Sequence, residues 1–399
     1  MKIIIIGGGA AGFFTAINIA EKHPNYQVTI LEKTGKLLQK VKVSGGGRCN
    51  VTNARTQPSE LVKFYPRGNK KLHPLFKQFS TEDMVAWLNA RGVSTKAEDD
   101  LRMFPTTDSS QTIIDCFLDQ ARKFGVEIKL NQVVKELKQS GNKWIIQTAD
   151  ESLEADKVVV ATGASPATWS MLQKVGLDIT EIVPSLFTFN IKDNRIKDLQ
   201  GISFEHATVK VTGTKLVEQG PLLITHWGLS GPAILKLSSW GAYELNELGY
   251  KFDILVNFPG ELSPDDARVH LLKYREANPK RKVINYPLFD LPKRFWERML
   301  AYCEVSEQTP YGELSKKQLN KLVEELCQGR YAVDGKSTFK EEFVTAGGVS
   351  LSEVDLSRFE ARRFPGLYLA GEVLDIDALT GGFNFQACWS AGWVISESV

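Results

Sequence analysis

The chain has 399 residues, of which 43% are hydrophobic and 24% charged, and its formal net charge at pH 7 is +2. This length is too great for one ordinary hydrophobic core, and the composition is that of a globular protein rather than a disordered one. The near-neutral charge argues against a large nucleic-acid-binding surface, so we expect a small-molecule substrate and no nucleic-acid partner.

The five cysteines are scattered and include no CxxC pair. Such a sparse, odd set predicts reduced thiols, with neither a disulfide framework nor a zinc site. The opening run, MKIIIIGGG, is too short for the apolar region of a signal peptide, and no stretch reaches the length of a membrane span. We therefore expect a cytoplasmic protein with no metal site and no membrane partner. The sequence leaves the oligomeric state open.

The first motif follows a short apolar run, KIIII, which predicts a strand buried on both faces. Gly7, Gly9 and Gly12 come next in G-x-G-x-x-G spacing, and a helical pattern continues from Ala10. A second strand, QVTILEK, contains Glu32. Strand, glycine loop, helix, strand and acid in this order predict a dinucleotide-binding βαβ unit.

Each glycine of the motif in this first glycine loop (residues 7–12) has a physical role in such a unit. Gly7 permits the tight turn, Gly9 lets the backbone approach a pyrophosphate, and Gly12 lets helix and strand pack closely. The helix N-terminus offers unpaired N–H groups and partial positive charge to the phosphates. Glu32 would accept hydrogen bonds from ribose hydroxyls and would repel a 2′-phosphate.

Three later stretches favour FAD over NAD as the dinucleotide. A second glycine loop (residues 44–50, within VSGGGRCNVTN) follows Glu32 closely, where NAD-binding folds usually continue with another βα unit. An apolar strand, ADKVVVATGAS, ends in Ala-Thr-Gly. Near the C-terminus, residues 364–396 predict a strand, a glycine-acid turn, a glycine pair and a closing helix. The backbone N–H groups of Gly381 and Gly382 would then approach the flavin's N1/C2 edge, where reduction places negative charge.

Four motifs together resemble a known family: VSGGGRCNVTN, THWGLSGPAIL (225–235), TAGGVS (345–350) and AGEVLDIDALTGGFNFQ. The chain resembles the bacterial aminoacetone-oxidase-like or BaiN-like FAD-binding flavoproteins over essentially its whole length. The resemblance implies an α/β fold: a Rossmann-type FAD-binding domain of two-dinucleotide type, interrupted by an inserted β-rich domain and a helical subdomain. It also implies bound FAD but does not supply the reaction.

The resemblance implies that the second glycine loop lies along the FAD, where Arg48 would pair with a phosphate or polarise an atom of flavin or substrate. Asn50 would donate to a ring carbonyl, and Asp375 would contact ribityl or pyrophosphate groups, whereas Asp377 is expected to be exposed. The expected cofactor-binding residues are Gly7, Gly9, Ala10, Ala11, Gly12, Glu32, Lys33, Ser44, Gly45, Gly46, Gly47, Arg48, Cys49, Asn50, Val134, Ala161, Thr162, Gly163, Gly371, Glu372, Asp375, Gly381, Gly382, Phe383 and Asn384.

The expected organisation has four parts, based on where the pattern changes from α/β to strands and then to helices. Helices are predicted over 81–91 and 111–124, with serine caps, and a β-meander over 126–148. A loose basic cluster in the helical part is interpreted as solvated helix faces; it comprises Lys280, Arg281, Lys282, Lys293, Arg294 and Arg298. The parts are a first FAD-binding part (1–185), a β-rich insert (186–260), a helical insert (261–342) and a C-terminal FAD-binding part (343–399).

His226 and Arg48 are the candidate catalytic side chains. His226 follows an apolar strand and precedes Gly228, which predicts a strand-to-helix turn where the imidazole would exchange protons or bind an anionic substrate; a satisfied histidine at a domain junction is the alternative. Trp227 would pack against ring or substrate, or serve as an ordinary core tryptophan. Cys49 has neither a resolving partner nor a visible cause for a lowered pKa, so we interpret it as a small buried residue.

We therefore expect an enzyme, an FAD-dependent oxidoreductase that transfers hydride between a small organic substrate and flavin N5. It would act as an oxidase of small amines or as an NAD(P)H-dependent reductase of C=C or C=O bonds, and no residue decides between them. No second nucleotide motif is present, although transient NADH or NADPH binding at the flavin stays open. The alternatives from other classes are a tRNA-modifying flavoprotein and a non-catalytic flavin redox sensor.

Overall fold

The structure is a computed structural model that describes residues 1–337 and 344–399. It divides into two compact units: the first comprises residues 1–183 and 340–399, and the second comprises residues 184–339. The four ranges expected from the sequence stay predictions, and the boundary after residue 342 lies outside the described residues.

In chain order, the helices and strands up to residue 182 are β1 Lys2–Ile6, α1 Ala10–Lys22, β2 Gln27–Leu31, α2 Gln39–Gly47, β3 Thr52–Asn53, α3 Pro58–Leu61, α4 Asn69–Gln78, α5 Thr81–Asn89, β4 Thr95–Ala97, β5 Arg102–Pro105, α6 Ser110–Lys123, β6 Glu127–Lys129, β7 Glu136–Ser140, β8 Lys143–Gln147, β9 Ser152–Ala155, β10 Lys157–Val160 and α7 Pro166–Val175. From residue 183 to 337 they are β11 Val183–Ser185, β12 Thr188–Asn190, β13 Ser203–Val211, β14 Val217–Ile224, β15 Gly228–Ser230, α8 Pro232–Trp240, α9 Ala242–Glu247, β16 Lys251–Asn257, α10 Pro264–Ala277, α11 Lys293–Tyr302, α12 Lys316–Gln328, β17 Gly329–Asp334 and β18 Lys336–Ser337. From residue 344 they are β19 Val344–Ala346, β20 Val354–Asp355, β21 Glu360–Ala361, β22 Leu367–Leu369 and α13 Phe383–Ser398.

The first unit is built on a seven-stranded sheet in the order β20-β21-β22-β10-β1-β2-β6. The five strands from β22 to β6 are parallel. Strand β1 lies between β10 and β2, so the chain continues from β1 to β2 on one side and later returns to β10 on the other side. Because parallel strands end at the same edge, the loops after β1, β10 and β22 meet there, at a topological switch point. This arrangement confirms the expected Rossmann-type α/β fold.

The local predictions for this unit agree with the structure. The helix predicted from Ala10 runs to Lys22, and β2 ends directly before Glu32. The helix predicted over 81–91 begins after Ser80, whose side chain and that of Asp83 form a reciprocal capping box. The predicted meander corresponds to β6 in the large sheet and to a separate antiparallel sheet, β7-β8-β9.

The second unit contains a seven-stranded antiparallel sheet in the order β17-β16-β13-β14-β15-β12-β18. The helical segment packs on this sheet through aromatic contacts, such as the ring of Phe258 at 4.4 Å from that of Phe295. Strand β17 then returns to the sheet after α12 and pairs with β16. Sheet and helices therefore share one hydrophobic core.

Among the helices in the described part of the chain, none combines the length and the apolar character that crossing a membrane would require.

Candidate cofactor site

The first glycine loop is closed by backbone contacts that leave no room for side chains at two of its glycines. A Cβ atom on Gly7 would lie 2.4 Å from the carbonyl oxygen of Ala161, and one on Gly12 would lie 2.0 Å from that of Gly7. A Cβ atom on Gly9, in contrast, would meet no atom within 4 Å. Gly7 and Gly12 therefore serve the packing of the loop, whereas Gly9 leaves open space beside the N-terminus of α1.

Glu32 lies at the end of β2, beside this loop. Its Oε2 atom accepts from the N–H of Gly8 at 2.9 Å, and its Oε1 atom accepts from the N–H of Thr34 at 2.9 Å. Lys33 is exposed, and the half-buried Val134 packs against the hydrophobic core. The carboxylate is thus fixed at the edge of the sheet where ribose hydroxyls would share its lone pairs.

The second glycine loop interrupts α2 with left-handed backbone. Gly45, Gly46 and Gly47 have φ values of 57°, 68° and 84°, a region that favours glycine. The preceding Ser44 is extended, with ψ at 146°. A Cβ atom on Gly45 would lie 2.8 Å from the ring of Phe104, whereas one on Gly46 would meet nothing within 4 Å. The middle of this loop therefore presents bare backbone to open space.

The Arg48 guanidinium is engaged by protein groups rather than free. It donates to Glu98 at 2.5 Å, lies 3.7 Å from the carboxylate of Asp108, and covers the ring of Phe104 at 4.1 Å. Glu98 also accepts from Arg102, at 3.0 Å. The hydrogen bond with Glu98 raises the pKa of Arg48, so the guanidinium stays charged while its position is set by the neighbouring hairpin.

Cys49 and Asn50 complete the second loop. Cys49 is fully buried, and burial raises the pKa of its thiol to about 12, which agrees with a structural rather than a redox cysteine. With its amide oriented to satisfy both neighbours, Asn50 donates to the Thr52 carbonyl at 2.9 Å and accepts from the Gly382 N–H at 2.9 Å. The bond with Gly382 joins the second loop to the residue that precedes α13, and the bond with Thr52 fixes the orientation of the amide.

The loops after β10 and β22 meet at the same edge. The N–H of Ala370 donates to Val160 at 3.0 Å, and a Cβ atom on Gly163 would lie 3.7 Å from Glu372. Glu372 forms an ion pair with Lys40 and accepts from the N–H of Thr345 at 3.2 Å. The Ala161-Thr162-Gly163 turn and the Gly371-Glu372 turn are therefore brought together beside the first glycine loop, as their positions after parallel strands require.

The segment between β22 and α13 carries two carboxylates with different surroundings. Asp377 is fully buried and accepts two hydrogen bonds from Arg67, so the expectation that it is exposed is wrong. Asp375 is half-buried, and its Oδ1 atom is buried without a hydrogen-bond partner in the structure. Burial, and next the charge of Asp377, raise the pKa of Asp375. Buried carboxylate oxygens are seldom left without a donor, and a hydroxyl of a bound cofactor would supply one here.

Residues 64–67 hold the start of α13, and the sequence pattern gave no sign of this role. The Phe64 ring stacks on that of Phe383 at 4.3 Å, and the Tyr65 hydroxyl donates to the Phe383 carbonyl at 2.6 Å. The Asn384 side chain bonds both backbone groups of Ala378, at 2.9 Å each. Phe383 and Asn384 therefore shape the loop that precedes the helix.

FAD is not part of the structure, and the residues present fit it. The open spaces at Gly9 and Gly46 admit a ligand close to bare backbone, and the Oδ1 atom of Asp375 lacks a donor. The N-termini of α1 and α13 belong to the same unit and supply unpaired N–H groups and positive dipole ends for phosphates and for a reduced flavin. Together these features form a cradle for a dinucleotide.

His226 lies in the second unit. It is exposed in a short turn between β14, which ends at Ile224, and β15, which begins at Gly228. The expected strand-to-helix turn is thus a strand-to-strand turn, and α8 starts only at Pro232. A Cβ atom on Gly228 would lie 2.3 Å from the Phe189 carbonyl oxygen, so this glycine serves strand packing.

Comparison with known proteins agrees with this geometry. The HI0933-like protein Rossmann domain family matches residues 1–398. The chain is 30% identical to the ribosomal RNA dihydrouridine synthase of Escherichia coli (strain K12), over 99% of this chain and 97% of the relative. It is 26% identical to the 3-dehydro-bile acid delta(4,6)-reductase of Clostridium scindens (strain ATCC 35704 / DSM 5676 / VPI 13733 / 19), over 100% and 98% of the two chains.

Among solved structures, a 3-ketosteroid-delta4-(5alpha)-dehydrogenase from Rhodococcus jostii RHA1 is similar with a TM-score of 0.51 and 13% identity, covering 100% of this chain and 97% of that one. At this identity the likeness supports the fold alone. The family match extends over almost the whole chain and confirms the resemblance found in the motifs. The chain therefore belongs to the HI0933-like family of FAD-binding Rossmann proteins, and it is an FAD-dependent oxidoreductase.

Proposed function

We propose that this protein reduces a carbon–carbon double bond that is conjugated with a carbonyl group. The observation that carries the proposal is the chemistry shared by two relatives with different substrates. A dihydrouridine is a uridine whose ring double bond has been reduced, and a delta(4,6)-reductase acts on double bonds of a 3-dehydro bile acid. The reducible group that uridine and a 3-keto dienone share is a C=C bond conjugated with a carbonyl.

The proposed reaction balances as a two-electron reduction. The carbon β to the carbonyl gains a hydride, the α carbon gains a proton, and the C=C bond becomes a single bond. Bound FAD, once reduced, supplies the hydride at N5, and NADH or NADPH is proposed as the donor that reduces it again. This choice favours the reductase over the amine oxidase among the two subclasses that the sequence left open.

The chain's own residues are proposed to hold the cofactor at the carboxyl edge of the large sheet. Gly9 and the N-terminus of α1 would take the pyrophosphate, Glu32 the ribose hydroxyls, and Asp375 a hydroxyl that donates to its unsatisfied Oδ1 atom. The second glycine loop, open at Gly46, would lie along the cofactor. The remaining predicted cofactor residues stay proposals of the same kind.

Arg48 and His226 remain the proposed catalytic side chains, with different supporting observations. Arg48 is permanently charged and held in place by Glu98, so it is suited to polarise a carbonyl or to bind an anionic group. His226 is exposed and would deliver or accept a proton. In a His226→Gln variant, the rate of substrate reduction should fall while the variant keeps its flavin.

The test separates the two half-reactions. Purified holoprotein is first made anaerobic and titrated with NADH and NADPH, and the loss of the oxidised flavin band is followed. In a second experiment, dithionite-reduced holoprotein is mixed with a cyclic enone, with a 3-keto steroid dienone or with a uridine-containing RNA, and reoxidation of the flavin is timed against buffer. The proposal expects at least one conjugated C=C acceptor to reoxidise the flavin faster than buffer, with the saturated product detected by mass spectrometry.

The dithionite step makes the result independent of the electron donor. If no conjugated acceptor reoxidises the flavin while a small amine reduces the oxidised enzyme, the chain is an oxidase and the proposal is wrong. Saturated analogues of the same acceptors serve as controls, because they share the shape of the acceptors and lack the double bond.

A further inference from the structure

Trp227 has the most exposed side chain among the large apolar residues in the described part of the chain, at 59%. It occupies the turn between β14 and β15, directly after the exposed His226. A ring this exposed is accessible to a binding partner, and covering it would remove apolar area from water. The ring offers a flat apolar surface whose preferred partners are other flat rings.

The backbone around Trp227 is fixed. Its carbonyl accepts from the N–H of Ile191 at 2.8 Å, and its own N–H donates to the Thr225 hydroxyl at 3.3 Å. Thr225 in turn bonds the Gly228 carbonyl through its N–H at 2.8 Å. The ring is therefore presented on a turn that is anchored to the neighbouring strand, which lowers the entropy lost when a partner binds.

Basic side chains lie on a loop that is hydrogen-bonded to this turn. The loop 191–202 is joined to the turn by the bond of Ile191 with Trp227 and by the N–H of Gly201, which donates to Ile224 at 2.9 Å. The loop carries the exposed Lys192 and Lys197. We call the turn 225–228, this loop and the part of α11 that contacts it the tryptophan face.

Two arginines of α11 belong to the tryptophan face. Arg294 donates to the carbonyl of Asp198 at 2.9 Å, and Arg298 donates to the carbonyls of Asn194 and Lys197 at 2.6 and 2.7 Å. These residues come from the basic cluster that the sequence pattern assigned to solvated helix faces. The structure separates them from the lysines and arginine at 280–282 by placing them against the loop 191–202.

The acidic side chains of the tryptophan face cancel only part of this charge. Arg195 is buried and serves two carboxylates: it bonds both oxygens of Asp193, at 2.9 and 2.7 Å, and it pairs with Glu325. Asp198 and Glu297 remain, the latter at 3.8 Å from Lys293. The face therefore combines an exposed aromatic ring with an excess of cations, although the chain as a whole is nearly neutral.

We propose that the tryptophan face binds a single-stranded segment of RNA, with a base stacked on Trp227 and phosphates contacted by the basic side chains of the loop and of α11. Single-stranded RNA is recognised by aromatic stacking together with cations that follow the backbone. The inference rests on the proposed reduction of a conjugated C=C bond, since the uracil base of uridine in RNA carries such a bond. It departs from the expectation based on net charge because the cations are concentrated on one face.

The test uses FAD-loaded full-length protein and a fluorescein-labelled twelve-nucleotide oligouridine, followed by anisotropy at several salt concentrations. Trp227→Ala should weaken binding about tenfold or more, because stacking on an aromatic ring contributes strongly to the binding of each base. Trp227→Phe should restore part of the affinity. The double variant Lys192→Ala/Lys197→Ala should reduce the slope of log K against log salt by roughly 1.4, from about 0.7 for each phosphate contact.

Matched controls come from the same unit. Trp240→Ala removes another exposed tryptophan, and Lys316→Ala/Lys317→Ala removes two exposed lysines at the start of α12. Neither should change the affinity by more than about twofold. Equal binding of heparin and oligouridine, unaffected by Trp227→Ala, would show general attraction of polyanions and would overturn the inference, as would the absence of oligouridine binding.

The two proposals can fail separately. If a conjugated small-molecule acceptor reoxidises the reduced flavin but oligouridine binds neither wild type nor variants, the reductase proposal stands and the RNA inference is wrong. If oligouridine binds in a manner that depends on Trp227 while no acceptor reoxidises the flavin, the RNA surface stands and the proposed reaction is wrong.

Discussion

A methyl group on Gly12, in the first glycine loop, would lie 2.0 Å from a backbone oxygen, whereas one on Gly46, in the second, would meet no atom within 4 Å. The first loop needs glycine because β1 and α1 pack so closely that no side chain fits. The second needs glycine because its backbone is left-handed, with φ at 68° for Gly46. Gly12 is therefore required by packing and Gly46 by backbone conformation, and of the two only Gly46 has open space beside it.

The difference between crowded and open glycine positions is also found within the first loop. Gly9 resembles Gly46 in having open space where a side chain would be, although the two loops are unrelated in conformation. Within these two loops, the positions where a Cβ atom would meet nothing are those that a dinucleotide could approach. Positions where it would meet backbone mark the scaffold. Substitutions that separate stability from cofactor affinity can test this division.

The largest effect is expected from Gly12→Ala. Its methyl group would lie against the Gly7 carbonyl oxygen, which is backbone and cannot move aside, so the free energy of unfolding should fall by about 3 kcal/mol or more. The measurement is urea unfolding of the apoprotein. Loss of soluble protein would agree with this result, and stability within about 0.5 kcal/mol of wild type would contradict it.

Gly9→Ala is the matched variant, in the same loop and with the same added methyl group. Its φ of −95° suits any residue and its Cβ direction is open, so the apoprotein should keep its stability to within about 1 kcal/mol. FAD affinity should fall about tenfold or more, or about 1.4 kcal/mol, because the methyl group occupies the approach of the pyrophosphate. Unchanged FAD affinity, measured by flavin fluorescence, would remove the first loop from the site.

An effect of similar size is expected in the segment that precedes α13. Arg67→Met would remove the ion pair that the buried Asp377 forms with Arg67 and should lower the free energy of unfolding by about 3–5 kcal/mol. Arg67→Lys keeps the charge but not the paired geometry, so it should restore only part of this loss. Lys70→Met, an exposed change on the neighbouring helix, is the control and should alter stability by less than about 0.5 kcal/mol.

The contrast between the loops also explains what could be read from the sequence. The strand, glycine loop, helix and acid from β1 to Glu32 form a contiguous pattern, so hydrophobic periodicity and glycine spacing predicted both the elements and the carboxyl edge of the sheet. The contacts of Glu372 with Lys40 and of Arg67 with Asp377 join positions more than 300 residues apart. Local patterns carry no information on such pairs, which depend on how the whole chain folds.

The turn at His226 shows a second kind of limit. Gly228, which follows this turn, was interpreted as part of a strand-to-helix turn. In the structure, a Cβ atom on Gly228 would instead lie against the Phe189 carbonyl oxygen of the adjacent strand β12. A glycine required by close strand packing and one required by a helix start look the same in the sequence. Only the contact with Phe189 distinguishes them.

A smaller effect is expected at Gly46, where strain and space can be distinguished. Gly46→Ala should lower the free energy of unfolding by about 1–2 kcal/mol, because alanine is disfavoured in left-handed backbone. Gly46→Asn should cost less, since asparagine tolerates this conformation. If the open space belongs to FAD, the larger asparagine should nevertheless weaken FAD binding more than alanine does. Equal FAD affinity of the two variants would separate this loop from the cofactor.

The smallest effect is a pH dependence that belongs to the open part of the site. Burial raises the pKa of Asp375 in the folded apoprotein, so the folded state binds its proton more tightly than the unfolded state does. The apoprotein should therefore lose stability as pH rises from about 4, the ordinary pKa of aspartate, through the raised pKa in the folded state. Asp375→Asn should remove this part of the pH dependence and should be the more stable protein at neutral pH.

Thermal unfolding of both apoproteins between pH 4 and 8 measures the difference, and FAD should reduce it if a donor from the cofactor reaches the Oδ1 atom. Parallel curves for wild type and variant would show that Asp375 is already satisfied by the protein, and the contrast between scaffold and open surface would then not extend to this carboxylate.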